Sequence, residues 1–233
     1  MAAAESRAVS VVVLFACLFL LASCFPRSTA PVRVEFYTLD YAPPVAARGR
    51  LDQVIRFDRF SVVQSYNSPA MVYRPEAYRL AVYQHHRWRT GPGEMVTDYL
   101  VRDFRSSGLF QAVFSYRQPE DARFEVDGAV EEFLEAREED GWKAILGLAV
   151  TLLDRSKPEI TSRVMFQKRY RAIELISDQS PGGFARGMSA AMARLSAEIM
   201  GDVADATGRA DQVNASGAGP AARTSLTTCG RYR

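Results

Sequence analysis

Apolar residues recur along this chain in two periods, and the points where the period changes divide it into elements. The chain opens with a nearly unbroken apolar run, Val9 to Ala22 (VSVVVLFACLFLLA), which belongs to neither period. Val34-Glu-Phe-Tyr-Thr-Leu39 then reads as a strand ended by Tyr41-Ala-Pro-Pro44, and Gln53 to Val63, with Val54-Ile-Arg-Phe57 and Phe60, reads as a second. Met71-Val-Tyr-Arg74 and Tyr78 to Tyr83 predict a short hairpin or strand pair. The period then lengthens: Met95, Val96, Tyr99, Leu100 and Phe104 recur at three and four, one stripe of a helix. Gly91-Pro92-Gly93-Glu94 supplies its start, since proline suits the first helical position and a carboxylate complements the free amides of the first turn. Gly108 stands where a left-handed cap would stop it. Alternation returns at Phe110, Ala112, Phe114 and Tyr116, and again at Phe124, Val126, Gly128 and Val130. Past the acidic turn Glu138-Glu-Asp-Gly141, Trp142 to Leu153 is apolar on both faces. Its length also permits a helix, but the turn at Asp154 to Pro158 and the alternating Val164, Phe166, Tyr170 and Ala172 favour a hairpin. Phe184, Met188, Ala191, Met192, Leu195, Ile199 and Val203 form a second helical stripe.

Strands, a helix, a run of strands and a helix make an α+β fold: an antiparallel or mixed β-sheet with two amphipathic helices packed on one face, burying both stripes. This domain spans residues 34–206. From Thr207 to the end, Gly, Ala, Ser and Thr dominate without apolar period, and residues 207–233 read as a disordered tail.

Composition changes this picture little. Lys plus Arg number 29 against 27 Asp plus Glu, so the net charge is only +2 and there is no basic stripe of the sort a nucleic-acid binder displays. The N-terminus changes it more. An apolar run of about 14 residues is signal-peptide length, short of the roughly 20 that span a bilayer. Leu21-Ala22-Ser23-Cys24 at its end resembles the bacterial lipobox. There, small side chains admit the peptidase and the freed Cys thiol takes a diacylglycerol, commonly with an N-acyl chain as well. Residues 1–23 are thus expected to be a signal peptide, Cys24 the lipidation site, and residues 24–33 a tether. Two or more chains anchor stably where one does so marginally. Phe25, in place of the Asp that retains some lipoproteins at the inner membrane, favours the periplasmic face of the outer membrane. Cys17 falls in the leader and Cys229 in the tail, so no intrachain disulfide framework and no metal spacing arises.

Candidate chemistry is sparse. His85 and His86 are adjacent, and strand alternation sends them to opposite faces, which opposes a joint metal site or catalytic dyad. Asp98 and Asp103 do not share a helix face. Glu131-Glu132, Glu135 and Glu138-Glu-Asp140 read as a solvated hairpin rather than a cation site. No phosphate loop, nucleophile elbow or zinc spacing is present, so neither an enzyme nor a metal protein is expected. Met188, Met192 and Met200 suit the core better than a lipid groove. Met71, Tyr73, Arg74 and Trp88 allow two readings: rings filling the core with Arg74 paired locally, or a contact surface for a partner or a second copy, since aromatic residues and Arg anchor interfaces.

Tyr37-Thr-Leu39 with Pro43-Pro44 after the lipidated Cys, Met71-Val-Tyr-Arg74, Trp88 ahead of Gly91-Pro92, Glu94-Met95 and Ser107-Gly108-Leu109-Phe110 stand in an order and spacing that resembles the ABC-type transport auxiliary lipoprotein family. These are accessory components of transporters carrying mammalian-cell-entry (MCE) domains. The likeness covers about residues 35 to 205; Arg89 and Thr90 depart from the small residue expected after the Trp. The resemblance implies a non-enzymatic lipoprotein without cofactor beyond the acyl chains on Cys24. It would dock or assist an MCE-domain protein and its ABC transporter as lipids or other hydrophobic molecules cross the periplasm, and some relatives form homo-oligomeric rings. The alternative is an envelope lipoprotein that binds lipid itself or assists assembly of another envelope complex.

Overall fold

The computed structural model describes residues 32–45 and 49–217, with side chains as far as Gln212. The expected signal peptide, Cys24, the tether up to residue 31, Cys229 and residues 218–233 lie outside the described residues.

Among the described residues nine strands form one mixed sheet: β1 (Glu35–Tyr37), β2 (Leu51–Phe57), β3 (Ser61–Val62), β4 (Ala70–Glu76), β5 (Arg79–Trp88), β6 (Phe110–Ser115), β7 (Phe124–Glu138), β8 (Gly141–Asp154) and β9 (Val164–Leu175). Its spine is the 15-residue β7. One side of β7 pairs antiparallel with β8 along the whole strand, from Phe124↔Asp154 to Glu138↔Gly141. The other side is shared in series by three short parallel partners: β2 opposite Phe124 to Val126, β3 opposite Ala129 and Val130, β4 opposite Glu135 and Ala136. β6 lies beyond β2, β9 beyond β8, β5 beyond β4, and β1 runs parallel to β5 at the edge. Trp142 to Leu153, apolar on both faces, is therefore a strand, flanked by β7 and β9. Ala144, Leu146, Leu148, Val150 and Leu152 face the main core, while Ile145 joins Val72, Leu134 and Ala136 in a small cluster on the opposite face.

Helices α1 (Pro92–Ser107) and α3 (Pro181–Gly217) cover one face; a single turn, α2 (Ile160–Arg163), joins β8 to β9. Both expected stripes are buried: Met95, Val96, Leu100 and Phe104 of α1, and Phe184, Met188, Ala191, Met192, Leu195, Ile199 and Val203 of α3. They close on one core with Phe57, Phe124, Phe133 and Tyr170 of the sheet. Gly108 ends α1 at φ 63°, a left-handed conformation that costs glycine no Cβ clash. Tyr99, placed in the stripe by its spacing, is half-buried, and its hydroxyl donates to the Leu39 carbonyl.

Three expectations are corrected. The strand read over Gln53 to Val63 breaks between β2 and β3, because the Phe60 amide leaves the ladder and donates to Thr97 Oγ1 of α1 at 3.0 Å. Along Phe110 to Tyr116 the alternation fails: Val113 is buried while Ala112 and Phe114 are half-buried, and Tyr116 lies past the strand. The tail expected from Thr207 is still helix as far as Gly217. Thr207 is fully buried, its hydroxyl donating back to the Val203 carbonyl at 2.9 Å and its carbonyl accepting from Gln53 Nε2 at 3.0 Å. One turn on, Asp211 pairs with Arg123 at 2.8 Å. Tertiary contacts extend the helix where local composition carries no apolar period.

Candidate partner interface

The four residues with two readings are divided by the structure. Met71 and Trp88 are fully enclosed; the Trp88 indole packs edge-on against Phe133 and Phe184, with ring centroids 5.2 Å apart in each case. A surface role is thereby closed to both. Tyr73 and Arg74 are half-buried and, as neighbours on a strand, point to opposite faces. Arg74 lies opposite Ala136, on the face away from the helices. There its charge acts on the Tyr66 phenol, whose pKa burial raises.

Tyr73 is part of a larger aromatic group that sequence spacing did not reveal. Its ring centroid is 4.9 Å from Tyr83 and 6.3 Å from Trp142, Tyr83 meets His86 edge-on at 6.0 Å, and His86 is 5.8 Å from Tyr37. All five rings are half-buried. They come together because β4, β5, β7 and β8 run past the start of α3. Ala144, which touches the first turns of that helix near Gly187, is followed toward the hairpin tip by Trp142 on the same face. Beyond the helix these rings cover the sheet. Tyr83 stands ten residues after Tyr73 in the paired strand and could have been found from hairpin register; Tyr37 and Trp142 arrive from distant segments and carried no local signal.

Beneath the rings lies Glu135, 1% exposed, on the same side as Phe133 and opposite Tyr73. Expected in a solvated acidic hairpin, it is instead buried because the sheet's alternation turns it inward. Tyr83 Oη donates to its Oε2 at 2.6 Å. Burial pushes the Glu135 carboxyl above its ordinary range, against the pull of that hydrogen bond, and the Tyr83 phenol is pushed up by burial and then by the carboxylate. Four other acids of the cluster are spent in ion pairs: Glu131 with Arg169 (3.1 Å), Glu132 with Arg171 (2.5 Å), Glu138 and Asp140 with Lys143 (2.8 Å each). Among the described residues no group of His, Cys, Asp and Glu converges to hold a metal ion.

His85 is exposed, on the face opposite His86. His86 Nδ1 lies 3.3 Å from Tyr37 Oη and 3.4 Å from Glu35 Oε2, and Tyr37 Oη donates to that carboxylate at 2.8 Å. Asp98 and Asp103 are separated as their spacing requires. Asp98 pairs with Arg117 at 2.9 Å, whereas Asp103 is buried and accepts from Tyr41 Oη at 2.7 Å and Arg102 Nε at 2.8 Å. The Arg102 guanidinium lies over the Tyr41 and Tyr99 rings at 4.3 and 4.4 Å, which fastens the segment after β1 to α1. This group is a clasp, with its charges satisfied internally. Met188, Met192 and Met200 lie in the core and line no groove.

Half-buried aromatic rings outside the helical layer, over a satisfied carboxylate, offer apolar area and a few polar edges. That arrangement suits binding a protein surface rather than bond-breaking chemistry. Among the described residues no helix is long and apolar enough to cross a membrane.

A family model described as the ABC-type transport auxiliary lipoprotein component matches residues 37–200. The fold is similar to the crystal structure of protein XCC0632 from Xanthomonas campestris (TM-score 0.70, 20% identity, covering 77% of this chain and 99% of that one). It also resembles the crystal structure of an uncharacterized protein (TM-score 0.58, 13% identity, 73% and 99% covered). No curated protein matches the chain.

Proposed function

The chain belongs to the family of ABC-type transport auxiliary lipoprotein components, and from that premise we propose that it is the lipid-anchored docking subunit of an MCE-type transporter. It would act at the periplasmic face of the outer membrane as lipids or other hydrophobic molecules cross the periplasm. The family is one of non-catalytic auxiliary components, and the reading assigns no bond-making step to this chain. Its mechanism is tethering. Acyl chains on Cys24 hold the domain at one membrane, so contacts with a partner form at high effective concentration without each contact being strong.

The observation that carries the docking role is the aromatic group of Tyr37, Tyr73, Tyr83, His86 and Trp142 left outside the helical layer. Copies of the chain share the partner as a ring in this proposal, and sedimentation of the mature protein reads that directly: a monomer at every concentration counts against it. Two experiments test the main claim. Cys24→Ala should move the protein from the membrane fraction to the soluble fraction; full retention removes the anchor. Trp142→Ala should weaken capture of the MCE-domain protein roughly 10- to 30-fold, the effect of losing an aromatic anchor, while leaving membrane retention unchanged. Unaltered capture removes this face from the interface.

A further inference from the structure

The hairpin of β4 and β5 ends in an unusual tip. Tyr78 sits at φ 65°, a left-handed conformation that a bulky side chain rarely adopts, and its side chain is wholly exposed (107%). Behind it, Leu80 and Val82 are also exposed. Val82 pairs with Val72, so both lie on the face away from the helices. The same face continues onto β1, where Phe36 pairs with Arg87, the neighbour of the inward Trp88, and is 57% exposed; Val34 precedes it on that face. Exposed arginines are interspersed: Arg79 at the tip, in an exposed ion pair with Glu76 at 2.8 Å, Arg87, and Arg89 with its guanidinium 5.8 Å from the Phe36 ring centroid.

Topology sets this surface on the side from which the chain enters β1. β1 runs parallel to β5, with Glu35 opposite His86, so the chain enters β1 from the direction of Arg79 and the hairpin tip. Ten residue-to-residue steps separate Cys24 from Val34, a reach of up to roughly 33–36 Å. The seven steps along β5 from His86 back to Arg79 span at most about 23 Å. A tether of that length lets the tip touch the surface in which Cys24 is anchored.

We infer that the β4–β5 tip docks into the headgroup region of the phospholipid bilayer, with Tyr78, Leu80 and Val82 entering it and Arg79 and Arg87 meeting lipid phosphates. Tyrosine is amphipathic and favours that depth, and arginine can lay its stem on apolar surface while its head pairs with phosphate. The acyl chains fix the domain to the membrane; the tip fixes its orientation there. The inference rests on acylation of Cys24.

The test uses the full mature, acylated protein carrying Tyr78→Trp, reconstituted into phosphatidylethanolamine–phosphatidylglycerol vesicles with and without brominated lipid. Mass spectrometry reports the state of Cys24 in the same sample. The introduced tryptophan should emit at shorter wavelength than in a Cys24→Ser, Tyr78→Trp protein free in buffer, and brominated lipid should quench it about twofold or more beyond Trp88 and Trp142 of the unsubstituted protein. An acylated Cys24 with an unshifted, unquenched tryptophan overturns the tip inference and leaves the anchor standing. A bare Cys24 overturns both. A blue shift that grows with protein concentration and ignores brominated lipid assigns the tip to a second copy and likewise overturns it. Leu80→Ser with Val82→Ser, two exposed positions that the fold does not need, should reduce the quenching by half or more if the tip lies in the headgroups.

Discussion

Glu135 is a carboxylate that water does not reach, and its ionisation is therefore tied to folding. Its pKa is raised in the folded protein, chiefly by desolvation. The native state thus holds its proton more tightly than the unfolded chain does. The stability this contributes is complete below the ordinary carboxylate range and is lost as pH rises through the folded value. Glu135→Gln keeps an acceptor for Tyr83 and removes the charge. It should stabilise the protein at pH 8 relative to the parent, with the gain shrinking toward pH 4; equal gains by urea unfolding at both pH values would refute this. Tyr83→Phe removes the donor and should cost about 1.5–3 kcal/mol at pH 8, the scale of a hydrogen bond to a charged group. At this scale the sequence was only partly legible. Met71 and Trp88 were open to two readings because β5 departs from regular pairing between the partners of Ala70 and Val72, so spacing along the strand does not settle which residues face inward. Glu135 was misplaced because an acidic run looks solvated until the sheet's alternation assigns each member a side.

At the scale of elements, α1 was legible almost to the residue because its signals are local: Pro92 opens it, Gly108 closes it, and the stripe between is periodic. The break between β2 and β3 was not, because it depends on a contact between segments far apart in sequence. Thr97 Oγ1 donates to the Gly93 carbonyl at 2.7 Å and accepts from the Phe60 amide at 3.0 Å. Gly93 lets the two backbones approach; a Cβ there would stand 2.5 Å from the Phe60 carbonyl oxygen. Thr97→Val preserves shape and strands the amide, so it should destabilise by about 1–3 kcal/mol, whereas Thr97→Ser should recover most of the loss. Thermal unfolding of the two variants separates these outcomes; equal stability would mean that the hydroxyl is dispensable.

For the whole molecule, two helices on one face of a sheet, antiparallel or mixed, followed from the order of periods alone, since both apolar stripes needed a common surface to bury against. The extent of α3 did not. Its last turns are held by Gln53 of β2 and by Arg123 just before β7, itself fixed by Asp154, residues that no reading of a small-residue tail would summon. A chain ended after Ala206 loses the Gln53 and Asp211 contacts and should be about 1–3 kcal/mol less stable than one ended after Gly217. Identical melting temperatures for the two would show that these turns merely rest on the surface.

The serial pairing along β7 bears on how the protein is made. A chain emerging from the ribosome exposes β2, β3 and β4 first, yet Ile55 must wait for Phe124, Ser61 for Ala129 and Tyr73 for Glu135. Until that spine has been synthesised, β3 has no ladder to join and β2 and β4 can pair on one side only, with β6 and β5, whereas β7 and β8 can close on one another through the turn at Glu139 and Asp140 as soon as they appear. A leading half that cannot complete its sheet early carries unpaired strand edges until the spine arrives, and the unfinished chain is open to pairing with its neighbours for that interval.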